Sequence, residues 1–152
     1  MSLISRKVDY AILTLVELSR SGSGASARDL AERHGLSKAF VANILKELCQ
    51  VGVVESQRGV HGGYRLAKPP GEISVRGLIA ALDGDFQFMA CAADNEHAEH
   101  ECGLVNSCPV REPLRRVHDR LLAVLDEVTL ADLGARSGRG EPELVMLETN
   151  RG

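Results

Sequence analysis

A mostly α-helical fold with a small β-wing is expected for this 152-residue chain: a winged helix-turn-helix followed by a long dimerisation helix. Three observations predict it. Three segments with helical apolar spacing open the chain, with a glycine-marked turn between the second and third. Two strand-like runs then flank a glycine-containing tip, the pattern of a β-hairpin or wing. Beyond residue 108, apolar residues recur at intervals of three and four, as along a coiled-coil face.

Residues 6–20 place Val8, Ala11, Ile12, Leu15, Val16 and Leu18 at helical spacing with a broad buried face. The small, flexible run SGSGAS then forms a loop. Ser26 or Ala27 starts a second helix, with Leu30 and Ala31 inward and Gly35 ending it. Ser37 is placed to cap a third helix whose inner face is Phe40, Val41, Ile44, Leu45 and Leu48, with Gly52 as its stop. Val53-Val54 and Tyr64-Arg65-Leu66 read as the wing strands, and Pro69-Pro70 as a rigid end. Ser74 caps a further helix over 74–83, with Val75, Leu78, Ile79 and Leu82 on one face.

Residues 84–108 lack periodicity and read as a loop. A long helix is predicted over 109–128, with Pro113 tolerated near its first turn. Its stripe is Val110, Leu114, Val117, Leu121, Leu125 and Val128, widened by Leu122. Thr129 caps a short helix, LADLG, and the polar tail 136–152 is expected to be flexible. The resulting organisation is 1–83 as the winged helix-turn-helix, 84–108 as the connecting loop, 109–135 as the dimerisation-helix region and 136–152 as tail. With 3% aromatic residues and no Trp, the core must be aliphatic.

The net charge of −3 conceals an asymmetry. Residues 1–80 carry 11 Lys and Arg against 7 Asp and Glu, while residues 81–152 carry 7 against 14. A basic first half suits an anionic polymer. No stretch approaches the roughly 20 apolar residues of a membrane span, and the N-terminus lacks a signal-peptide pattern, so a cytoplasmic protein without membrane partners is expected. There is no nucleophile–base pair, phosphate loop or paired-carboxylate motif. His34, His61 and His118 are isolated and read as surface or hydrogen-bonded groups, so an enzyme is not expected.

A helix lying in the major groove must present polar side chains from its early outward positions. Here these are Ser37, Lys38, Ala39, Ala42, Asn43 and Lys46. Asn pairs bidentately with adenine and Lys reaches guanine or phosphate, which makes Asn43 and Lys38 the candidates for base edges. Lys46 and Arg28 fit phosphate contacts, which position without specifying. Arg58 stands beside Gly59 at the wing, where it could enter a narrow minor groove. His61, Tyr64 and Arg65 are further candidates for backbone contacts.

Cys91, Cys102 and Cys108 follow in an acidic run with gaps of ten and five residues. In a reducing compartment such cysteines are thiols or metal ligands rather than disulfides. Thiolates are soft donors suited to iron–sulfur clusters and to zinc. His97 and His100 lie in the long first gap as further possible ligands, or as part of a solvated acidic loop. Zinc would complete a closed four-ligand site most simply with His100. Cys49, on the inner side of the third helix, reads as a small buried residue.

The run QRGVHGGYRLAKPPGEISVRGLIAALDGD, with SRKVDYAIL before it and VHDRLLAVLDEVTLADL after it, resembles the IscR and NsrR family of iron–sulfur regulators. The resemblance covers about residues 1–135. It implies a homodimer joined through the long helix, a palindromic double-stranded DNA operator, and an iron–sulfur cluster on the loop before that helix. Such regulators, commonly repressors, respond to redox state, nitric oxide or iron and cluster status. The resemblance puts Arg58 at the wing position that enters the minor groove, and Phe40 and Asn43 on the recognition surface. Ala42 stands where IscR-type members carry a glutamate that shapes operator choice.

The chain departs from the pattern in its cysteine loop. IscR-type members have five residues in the first gap, and a histidine ligand where Arg111 stands here. Asp9 matches the N-terminal aspartate that some NsrR-type members supply to a [4Fe-4S] cluster from the other subunit. The expected ligands are therefore Cys91, Cys102, Cys108 and Asp9, on a [4Fe-4S] cluster in preference to a [2Fe-2S] one. A carboxylate is a more labile ligand than a thiolate, and a labile corner is open to a small signal. The alternative is a zinc- or thiol-based redox-sensing regulator with the same DNA-binding half.

Overall fold

The computed structural model describes residues 4–59, 62–89, 103, 104 and 107–135. Helix α1 (Arg6–Ser21) is capped by Ser5, whose hydroxyl accepts from the Val8 amide at 3.3 Å, and it buries Val8, Ala11, Thr14, Leu15, Val16 and Leu18. Helix α2 (Ala27–His34) starts in a capping box in which Ser26 and Asp29 satisfy each other's amides. Gly35, at φ 63, ends it in the left-handed conformation that glycine adopts without a Cβ penalty. Helix α3 (Lys38–Gln50) has Ser37 at its N-cap with extended backbone, but the Ser37 hydroxyl makes no capping bond.

Strands β1 (Val54–Gln57) and β2 (Gly63–Leu66) pair antiparallel, with Val54 opposite Leu66 and Gln57 opposite Gly63. Ala25, from the loop after α1, adds a further rung as an isolated bridge to Tyr64. Its amide donates to the Tyr64 carbonyl at 3.0 Å, and the Tyr64 amide donates back to the Ala25 carbonyl at 2.8 Å. A Cβ on Gly63 would stand 2.7 Å from the Ala25 carbonyl oxygen, so only glycine permits this approach.

A single 3-10 turn at Pro70–Glu72 leads to α4 (Val75–Asp83), capped by Ser74, which accepts from the Gly77 amide at 3.1 Å. Helix α5 spans Arg111–Glu127, beginning two residues later than predicted. Pro109 and Val110 lie in the turn before it, and Pro113 falls at the third helical position, where its missing amide breaks no helical bond. Thr129 and Asp132 form a second capping box at α6 (Leu130–Gly134). The Val75 amide donates to the Val128 carbonyl at 2.9 Å and the Leu130 amide to the Ile73 carbonyl at 2.8 Å, which ties both ends of the α5–α6 junction to the start of α4.

The core is aliphatic, as composition requires: Leu15, Leu30, Ile44, Leu45, Leu48, Leu78 and Leu130 are its largest fully buried leucines and isoleucine. Two sequence expectations are corrected along α5. Leu125 packs against the core, and Val124 is the exposed residue instead. The exposed seam therefore runs through Val110, Leu114, Val117 and Val124. His118 is not a surface group either. It is 7% exposed, and its ring lies parallel to Phe86 at 6.3 Å, with Nδ1 lacking a partner among the described residues.

Candidate nucleic-acid interface

The helix-turn-helix orients α3 by burying Val41, Ile44, Leu45 and Leu48 beneath it. That phase leaves Ser37, Lys38, Ala39, Asn43 and Lys46 exposed, and Ala42 half-buried. Phe40 is half-buried and sets its ring edge against Tyr10 of α1, with centroids 5.5 Å apart at 90°. Its ring thus helps to hold α3 on α1. Arg58 is exposed immediately after β1, next to Gly59 at φ 125. Tyr64 is half-buried in β2, tied to Ala25 through its backbone. His61 lies outside the described residues.

Ion pairing divides the cations of this half. Arg28 donates to Glu32 at 2.7 Å, one turn along α2, and this bond holds its proton more firmly than usual. Arg65 pairs with Glu55 across the wing, and the Gln57 amide oxygen also accepts from Arg65 when the amide is turned. Among the described residues, Lys38, Lys46 and Arg58 have neither an ion pair nor a side-chain hydrogen bond. All three are exposed, and they present net positive charge on the recognition helix and wing.

Sequence reasoning missed Lys7. Its ammonium donates to Glu47 Oε2 at 3.1 Å and to the Leu82 carbonyl, and lies 3.7 Å from Asp83 Oδ1. The partners are 40 and 75 residues away, so no local pattern could have announced them.

Of the proposed ligands, Cys108 and Asp9 are described. Cys108 is a half-buried free thiol two residues before the Val110 N-cap of α5, and its carbonyl accepts from the Arg111 amide at 3.3 Å. Asp9 is exposed in the first turn of α1, and its carboxylate has no partner among the described residues. Cys91, Cys102, His97 and His100 lie outside the described residues, and among the described ones no three His, Cys, Asp or Glu side chains converge. Cys49 is half-buried, and burial pushes its thiol pKa up, which disfavours the thiolate that metals and oxidants require. Among the described residues no helix is long and apolar enough to cross a membrane.

Comparison with known proteins identifies the architecture. Residues 4–136 match the Rrf2 family, described as "Iron-dependent Transcriptional regulator". The transcriptional repressor NsrR of Streptomyces coelicolor is 32% identical over 135 residues, covering 87% of this chain and 88% of its own. The structure of CymR, the global cysteine regulator of B. subtilis, superposes with a TM-score of 0.68 at 30% identity, covering 88% of this chain and 97% of that one. IscR of T. potens superposes with a TM-score of 0.66 at 30% identity, covering 86% and 84%. These relatives are transcriptional regulators rather than enzymes, and their winged-helix architecture is the one seen here. The chain belongs to the Rrf2 family of transcriptional regulators.

Proposed function

We propose that this chain is a repressor that binds a palindromic operator as a homodimer and senses redox state, nitric oxide or iron status through an iron–sulfur cluster. The observation that carries this reading is the position of the cysteine segment. It leaves the end of α4 in the DNA-binding unit and returns through Cys108 to the start of α5. Ligands in that segment are therefore covalently joined to both elements whose relative tilt would set recognition-helix spacing.

The donor chemistry fits the group. Cys108 is a half-buried free thiol just before α5, and thiols are the soft donors that iron–sulfur clusters take as ligands. Asp9 offers an exposed carboxylate with no competing partner among the described residues. Cys91, Cys102 and Cys108 would supply three ligands and Asp9 of the partner subunit the fourth. When bound, the cluster supplies the reactivity toward small redox signals; the chain's residues hold it and relate it to the DNA-reading surface.

The test is anaerobic purification with iron and sulfide counts and Mössbauer spectra, repeated for Asp9→Ala. An unchanged spectrum in Asp9→Ala removes that ligand. Holo and apo protein are then compared at matched salt on duplexes selected from a random pool. Equal affinities would sink the cluster switch while leaving DNA binding intact.

A second reading keeps the DNA-binding half and makes the cysteines a thiol or zinc sensor. A solved relative, Staphylococcus aureus CymR in an oxidized form, is 29% identical with a TM-score of 0.66 and favours keeping it. Colourless protein containing zinc, or no metal, supports this second reading over the first.

A further inference from the structure

We propose that Lys7 is a positioning residue for DNA binding, holding Glu47, the sole carboxylate of the recognition helix, away from nucleic-acid phosphates. Helix α3 carries Lys38 and Lys46 against one acid, Glu47. Glu47 follows Lys46 directly and stands one turn beyond Asn43, so it borders the face that presents both. An uncompensated carboxylate there would oppose the phosphate contacts that supply most sequence-independent affinity.

The geometry compensates that charge. Lys7 reaches from α1 to Glu47 Oε2 at 3.1 Å. The same ammonium donates to the Leu82 carbonyl at the C-terminal end of α4, and Asp83 Oδ1 lies 3.7 Å away. Asp83 in turn accepts from the Ser5 amide at 3.3 Å, which anchors the start of α1. Two of the three ammonium donors thus have acceptors, Glu47 and the Leu82 carbonyl, and the Asp83 carboxylate adds its charge nearby. The Lys7 head group is therefore fixed by α4 before it meets Glu47, unlike a lone surface pair of two mobile side chains. Each link is local electrostatics, so its consequence belongs to the charge of the DNA-reading face.

The test uses fluorescence anisotropy of the full chain on a fluorescein-labelled random-sequence duplex at matched low salt. Lys7→Gln can still donate to the Leu82 carbonyl but carries no charge. It is expected to bind roughly fivefold more weakly, the upper end of what an exposed ion pair contributes. Glu47→Gln binds at least as well as the unmodified chain, and the Lys7→Gln/Glu47→Gln pair binds like Glu47→Gln alone. Glu47→Asp, which withdraws the carboxylate from an intact Lys7, weakens binding as Lys7→Gln does. A double variant as weak as Lys7→Gln assigns Lys7 to packing and overturns the proposal. Unchanged binding in Lys7→Gln or Glu47→Asp overturns it equally.

Discussion

Asp29 and Asp132 show how a single side chain sets a helix start in this protein. Asp29 Oδ2 accepts from the Ser26 hydroxyl at 2.7 Å and from its amide at 3.3 Å. Asp132 Oδ2 accepts from the Thr129 hydroxyl at 2.6 Å and amide at 2.8 Å. Those bonds favour the ionised form and hold both carboxyls below the ordinary aspartate range. A carboxyl depressed on folding contributes stability that is fully present above its unfolded pKa and lost as pH falls through the folded one. Ser26→Ala is therefore expected to be less stable than the unmodified chain at neutral pH. The difference narrows as acid protonates Asp29, and urea titrations across pH 7 to about 2 measure it. At the same scale, charge pairing separates Arg28 from Arg58. Arg28 is already bonded to Glu32, whereas Arg58 has no intramolecular partner among the described residues. Arg58→Ala should lower the salt slope of DNA binding by about one for each phosphate it no longer neutralises. Arg28→Ala should change it less, because breaking the Glu32 pair offsets what Arg28 gives; equal slopes for both variants would refute the distinction.

The wing illustrates what an element adds beyond its residues. Its two strands hold only four residues each, too few to be stable alone, and the Ala25 rung fastens them to the α1–α2 loop. Gly63→Ala would drive a Cβ to 2.7 Å from the Ala25 carbonyl oxygen, a backbone atom with little room to retreat. The expected cost is about 1–3 kcal/mol, read as a lowered melting temperature together with weakened DNA binding. A neutral Gly63→Ala would mean the loop and wing are not tightly joined. A two-stranded wing around a glycine tip was legible in sequence because turn chemistry is local, but β1 runs from Val54 to Gln57 where Val53-Val54 was expected. The caps at Ser74 and Thr129 were legible too, each followed three residues later by the amide it bonds. The Ala25 rung and the Lys7 bridge were not, because they join residues 39, 40 and 75 apart whose meeting depends on packing. The same limit misassigned Leu125: periodicity fixes which residues share a face of α5, but not which face rests on the core. Of the proposed ligand set, residue type and spacing pointed to the cysteines, while Asp9 came through resemblance alone. The free state of its carboxylate needed coordinates.

At the scale of the molecule, α5 is held to the DNA-binding unit and still leaves an apolar face outward. Arg76 of α4 pairs with Asp126 at 2.6 Å, His118 stacks on Phe86, and Leu125 and Val128 pack on the core. A neighbouring side presents Val110, Leu114, Val117 and Val124, which with Leu121 follow intervals of four and three. That is a heptad seam, the pattern with which one helix meets another. In the homodimer proposed here, a second copy covers it. Because each α5 is fastened to its own α4, the seam would then set the separation of the two α3 helices, which a two-fold operator requires to be about 34 Å. A charge in the seam should therefore separate the copies without unfolding either. Val117→Glu and Val124→Glu are expected to sediment as folded monomers with unchanged helical circular dichroism. Their DNA binding should fall steeply, since each half-site would lose the assistance of the other. Leu125→Ala is expected to do the reverse, lowering stability by about 1–2 kcal/mol through reduced apolar burial while leaving the oligomeric state alone. Dimeric Val117→Glu and Val124→Glu would place the interface elsewhere, and a monomeric Leu125→Ala would restore the stripe that periodicity alone suggested.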